Sequence, residues 1–184
     1  MEIEFSPFAK IARLTRQMIV TEKIDGTNAS IYIGEDGSFL TASRNRWITP
    51  ENDNAGFAKW ATEHKDELIN LGVGHHFGEW WGQGIQRGYG LTEKRFSLFN
   101  VSRWEDEEVR PKCCGVVPIL YRGMFDTKVV DDLVAHLAIH GSYAVDGFMK
   151  PEGVVVYHVA AGIMFKKTIE NDETPKSLLE QEIK

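Results

Sequence analysis

Short apolar runs cut by polar turns dominate the chain, and most of them have strand rather than helix spacing. Residues 17–24 and 29–33 are rich in Ile, Val and Thr, and the turn Gly34-Glu35-Asp36-Gly37 closes the second run. Further strands are predicted over 76–81, 96–101, 116–124, 144–150, 154–159 and 162–168. Two stretches have helical spacing instead. Phe57, Trp60, Ala61, His64 and Leu68 share one face, with Gly72 just beyond. Val130, Leu133, Val134 and Leu137 share another, opened by Asp126 or Thr127 and closed by Gly141. Thr174-Pro175 reads as an N-cap and first-turn proline, predicting a short acidic helix at the end. Strands and helices do not alternate as a parallel βαβ chain requires, and there is no internal repeat or low-complexity linker. The pattern predicts one α+β domain over 1–184, with mainly antiparallel sheets flanked by helices.

Composition narrows this little. The chain has 184 residues, 42% hydrophobic and 26% charged, enough for an ordinary core without disulfides or metals. A net charge of −6 disfavours a protein that coats nucleic acid by bulk positive charge, but not a local basic groove. Residues 1–50 hold six cations against six acids, whereas residues 105–108 and the tail after Ile169 are acidic. Cys113 and Cys114 are adjacent, with no CxxC spacing, so neither a disulfide framework nor a zinc ribbon is expected. No apolar run reaches membrane-spanning length and the start is not a signal peptide, so a cytoplasmic location is expected.

Five segments could carry chemistry. Lys23-Ile24-Asp25-Gly26 ends an apolar strand; it reads either as a hairpin with an exposed lysine or as a nucleophilic lysine held rigidly on a strand. Glu79 stands alone among aromatics in Phe77-Gly78-Glu79-Trp80-Trp81. Arg95-Phe96-Ser97-Leu98-Phe99 alternates so that one aromatic face serves either a base or the core. Glu152 leads directly into a valine strand, and Lys166-Lys167-Thr168 closes another.

Taken in order, Lys23-Ile24-Asp25-Gly26, Ser43-Arg44-Asn45-Arg46, Gly78-Glu79-Trp80, residues 96–99, Glu152-Gly153-Val154-Val155 and Phe165-Lys166-Lys167 resemble the motifs of the covalent nucleotidyltransferases. These are the polynucleotide ligases and RNA-capping enzymes. The Lys-x-Asp-Gly-Thr-Asn form, with Asn28 five residues after Lys23, and the Phe-Gly-Glu-Trp context are most similar to ATP-dependent RNA ligases of the phage type.

The resemblance implies an ATP-grasp-like ligase catalytic fold and three transfers. Lys23 takes AMP from ATP, the AMP passes to a 5′-phosphate RNA end, and a 3′-hydroxyl displaces it. It further implies that Lys166 and Lys167 contact the α-phosphate and that Glu152 holds Mg²⁺, or Mn²⁺ in its place. Glu79 would bind the ribose, Phe96 would stack on adenine, and Glu22 would read the adenine amine. Asn28 and Arg44 would engage the nucleotide or the RNA ends, and Asp25 is a site residue on motif grounds.

The last motif usually reads Lys-x-Lys. Here either Lys166 and Thr168 fill its two places or the register shifts by one. Relatives carry a further C-terminal domain, so the expectation is an adenylyltransferase domain alone, without an OB or helical domain and with a protein partner in its place. The rival functions are a DNA ligase, a capping enzyme and a catalytically idle nucleic-acid binder.

Other features have plainer expectations. The glycine-rich residues 82–90 lack a P-loop's Lys-Ser/Thr and read as a flexible loop from which Arg87 could touch a phosphate. His75-His76 read as structural, Trp47, Trp60 and Trp104 as packing residues, and the acidic run at Glu105 as a solvated turn.

Overall fold

The computed structural model describes residues 4–173; the predicted terminal helix at Thr174-Pro175 lies outside them. The strands are β1 (Gln17–Lys23), β2 (Thr27–Ile33), β3 (Phe39–Ser43), β4 (Trp47–Ile48), β5 (Gly74–Gly82), β6 (Lys94–Leu98), β7 (Cys114–Val116), β8 (Ile119–Met124), β9 (Gly153–His158) and β10 (Ile163–Thr168). The helices are α1 (Phe57–Glu63), α2 (Lys65–Leu68), α3 (Val101–Trp104) and α4 (Thr127–His140). They build a four-stranded sheet of order β10-β9-β1-β8 and a six-stranded sheet of order β4-β3-β2-β5-β6-β7. Every pairing between these strands is antiparallel except β6 with β7.

Each sheet buries one face under helices. In the larger, Ile31, Trp80, Phe96 and Leu98 pack against Phe57, Ala58, Ala61 and Leu68 of α1 and α2. In the smaller, Met18, Val20, Val154 and Val156 pack against Val130 and Leu137 of α4. Side chains alternate along a strand, so the residues between these point away from the helices. A third cluster of Ile24, Trp81, Tyr89, Val101 and Val117 joins the sheets at one end.

Several boundaries differ from the sequence pattern, each for a local reason. The helix over 57–68 breaks at His64, whose ring nitrogen pairs with the Trp60 carbonyl at 2.8 Å. The strand over 96–101 stops at Leu98 because Asn100 caps α3, its side chain accepting from the Arg103 N–H. The run 144–150 is not a strand. Ser142 Oγ and the Glu22 carboxylate take backbone N–H groups of residues 143–145, and Gly147 turns left-handed at φ 75°. By contrast, α4 matches its signals, with Asp126 accepting from Lys128 N–H and Gly141 at its end. Residues 82–90 are not a loose loop: Tyr89 is buried at 2% exposure and Ile85 at 5%. Trp60 and Trp104 pack as expected, but Trp47 sits on an edge strand at 54% exposure. The acidic run begins as an exposed segment, with Glu105 paired to Arg122 at 2.6 Å.

Candidate active site

Residues 24–26 carry the chain from one sheet to the other. Because β1 and β2 belong to different sheets, Asp25-Gly26 is a crossover and not a hairpin turn. This places Lys23 at the last position of a central strand, opposite Gly153 of β9. Its Nζ donates to Glu152 Oε2 at 2.5 Å, with the lysine side chain 24% exposed and the carboxylate 4%. Glycine is required on both sides of the junction. A Cβ on Gly26 would lie 2.5 Å from the Trp80 carbonyl oxygen. One on Gly153, at φ +151°, would lie 2.2 Å from that of Lys167.

Glu79 approaches from the other sheet. Its two oxygens accept from Gly26 N–H at 3.0 Å and Asn28 Nδ2 at 2.9 Å. Burial pushes its carboxyl up to about 7, against the opposing pull of the Lys23 charge and of these two hydrogen bonds. Lys23, Glu152, Glu79 and Asn28 therefore share one cleft between the sheets.

Strand register separates the two lysines of the last motif. Lys23, Gly153 and Thr168 form one row, and Thr21, Val155 and Lys166 form the next on the same face. Lys166 thus stands on the Lys23 side, exposed. Lys167 alternates to the α4 side, where its ammonium pairs with Asp131. Of the two registers, only Lys166 with Thr168 lies on the face of Lys23.

The structure does not bring every expected residue to the cleft. Phe96 lies on the helix-covered face, fully buried, with its ring centroid 5.0 Å from that of Phe57; no base can reach it. Phe99 is the aromatic on the other side, half-buried beside the cluster that includes Ile24 and Trp81. Glu22, also on the α4 side, is 1% exposed. Its carboxylate accepts from Ser142 Oγ, Tyr143 N–H and Ala144 N–H, so it anchors the loop after α4 instead of facing the cleft. Burial raises its carboxyl above the ordinary range, opposed by the same three hydrogen bonds.

Asp25 is engaged structurally. Arg87 Nε donates to its Oδ2 at 2.9 Å, and its N–H donates to Tyr89 Oη at 2.9 Å. The same Arg87 donates from Nη1 to the Lys150 carbonyl, tying the glycine-rich segment to the approach to Glu152. Sequence reasoning offered Arg87 to a phosphate, because nothing local reveals an ion pair across 62 residues. Arg44 is exposed on the β3–β4 turn, beside the Asn28 end of β2. His76 is structural, its buried ring pairing with the Gly72 carbonyl, whereas His75 is exposed.

A family model for RNA ligases matches residues 16–168. The chain belongs to the RNA ligase family. None of the curated proteins matches it. Solved structures similar to this RNA ligase chain include three of the RNA ligase of Naegleria gruberi. A variant with ATP and Mn gives a TM-score of 0.63 at 20% identity, covering 91% of this chain and 51% of that one. A variant with AMP and Mn gives 0.61 at 21%, covering 91% and 52%. The ligase with PPi gives 0.61 at 20%, covering 92% and 53%. The likeness establishes the nucleotidyltransferase-type fold, and the chain spans about half the length of the Naegleria chains. Among the described residues no helix is long and apolar enough to cross a membrane, and no group of three or more His, Cys, Asp or Glu side chains could hold a metal.

Proposed function

We propose that this chain is the adenylyltransferase domain of an ATP-dependent RNA ligase. The observation that carries the reading is the placement of Lys23, at a sheet crossover, against Glu152 and in the field of Glu79. A strand-end lysine in a cleft lined by carboxylates from both sheets is poorly explained as a surface cation, because both carboxylates are buried.

In this reading Lys23 Nζ gives up a proton, parts from Glu152 and attacks the α-phosphorus of ATP. A P–N bond forms, the P–O bond to pyrophosphate breaks, and Lys23 holds AMP as a phosphoramide. The AMP then passes to the 5′-phosphate of an RNA end, and a 3′-hydroxyl attacks that phosphate, expelling AMP. Lys166, on Lys23's face, offers the cation for the charge that develops on the α-phosphate oxygens. Each Glu79 oxygen keeps a lone pair beyond the hydrogen bond it already accepts, sufficient for a ribose hydroxyl. Asn28 and Arg44 line the approach on the same side, and Phe99 replaces Phe96 as the ring next to the base.

Glu152 offers the oxygen donor that Mg²⁺ or Mn²⁺ requires. A single carboxylate suits a hard cation whose remaining ligands are water and nucleotide phosphates. Such an ion would neutralise phosphate charge. Solved Naegleria variants supply a further support. They substitute a Lys and an Asp two positions later, and a Glu and a Lys fourteen positions later. Lys23 with Asp25, and Glu152 with Lys166, repeat both spacings.

Intact mass after incubation with ATP and Mg²⁺, and again with Mn²⁺ or with GTP, tests the reading. One adenylyl group mapped to Lys23, and none from GTP, is the expected result. No gain from ATP with either metal would overturn it.

A further inference from the structure

We propose that the cleft face of the six-stranded sheet is a stacking platform for single-stranded RNA bases, running outward from Glu79 to Trp47; it rests on the ligase reading above.

The face is defined by register. Asn28 and Glu79 are paired, the next row places Ala42, Ser30 and Phe77 together, and the row after that Leu40, Tyr32 and His75. Trp47 of β4 pairs with Ala42 at the edge. Successive rows along a strand are about 7 Å apart. Phe77 is therefore one row from Glu79, and His75 two. Four rings stand together here: His75 with Phe77 at 4.1 Å between centroids, Trp47 nearly parallel to His75 at 5.9 Å and 19°, and Tyr32 edge-on to both.

These rings are not core. Trp47 and Phe77 are each 54% exposed and Tyr32 36%, while Ile31, Ile33 and Ile48 on the opposite face are buried. The rings around it keep water from part of the His75 imidazole and lower it below its usual range, so at neutral pH it stacks as an uncharged ring.

The occupant is argued from chemistry and position. Exposed rings on a sheet accept bases without regard to sequence, and a flanking cation tracks the phosphates. Exposed Arg44, on the turn between β3 and β4 beside the Asn28 end of β2, supplies that charge. The platform is continuous with the row that holds Glu79, so a strand lying on it would end at the adenylate.

The test uses the full chain and a fluorescein-labelled single-stranded RNA, followed by anisotropy across a salt series. Trp47→Ala and Tyr32→Ala should each weaken binding about tenfold or more, as loss of one stacked base predicts. Their salt dependence should match the parent's, Trp47→Phe should retain binding, and adenylation of Lys23 should be equal in all. Unchanged RNA affinity in the Trp47→Ala/Tyr32→Ala double variant would overturn the platform. So would a parent chain that does not bind RNA, which would leave this face to a protein partner. Trp47-dependent RNA binding by a chain that takes up no adenylyl group would overturn the ligase reading and leave the platform standing.

Discussion

On the helix side of the six-stranded sheet, Phe96, Trp80 and Leu98 are buried against Phe57, each 2% exposed or less. On the cleft side the same strands present Glu79, Phe77 and Ser97, and a neighbouring edge strand presents Trp47. The smaller sheet repeats the division: Glu22, Val154 and Lys167 turn to α4, while Lys23 and Lys166 turn to the cleft. Residues adjacent in sequence thus have unrelated duties, because a strand sends successive side chains to opposite faces. In this molecule a motif residue's role follows from its parity along the strand as much as from its chemical type.

The sharpest way to break the comparison is to exchange damage between the faces. Lys23→Ala should reduce adenylation by more than about a thousandfold, since it removes the nucleophile itself. Its far-UV circular dichroism should remain that of the parent. Residual labelling at the parental rate would remove Lys23 from the reaction. On the other face, Phe96→Ala should cost about 3–5 kcal/mol of stability through the cavity it leaves among Phe57, Trp60 and Trp80. Chemical denaturation measures this, and adenylation should fall only in step with the fraction unfolded. A selective loss of ATP use without loss of stability would put Phe96 back at the base.

Parity also explains what the sequence made legible. The strands around Lys23, Glu79, Glu152 and Lys166, and the whole of α4, are set by local periodicity and caps, so they could be read directly. The sequence pattern cannot place Phe96, because an alternating aromatic run does not say which of its faces meets helices; that depends on where α1 folds back. Nor can it place Glu22, whose partners, Ser142 to Ala144, lie about 120 residues away. The run 144–150 has strand composition, yet its backbone donors are claimed by that same distant carboxylate. Arg87 and Tyr89, which brace Asp25, left no short-range signal beyond an arginine and a tyrosine among glycines.

Lys166 and Lys167 offer the narrowest form of the comparison, two identical side chains one residue apart. Lys166→Ala should slow adenylation by about 10²–10³, the usual consequence of removing one group that stabilises developing phosphate charge. Lys167→Ala removes an exposed pair with Asp131 and should leave the rate unchanged. Single-turnover rates with saturating ATP decide the matter; equal losses in both variants would mean that the register assigned to β10 is wrong.

The smallest expected effect concerns pH. Glu79 and Glu22 are both buried carboxylates, but only Glu79 faces the cleft, and burial lifts it from its ordinary 4.5 to about 7. A carboxyl raised on folding holds its proton more tightly in the native state than in the unfolded one. Its contribution is complete below the unfolded value of 4.5 and is lost as pH climbs to about 7, amounting to about 3 kcal/mol at most. Glu79→Gln cannot ionise and lacks that loss. Urea unfolding of parent and variant between pH 4.5 and 8 should show the variant gaining relative stability up to about pH 7 and holding level above it. A difference independent of pH would mean that Glu79 titrates as an ordinary surface carboxylate, and that the cleft does not shield it from water.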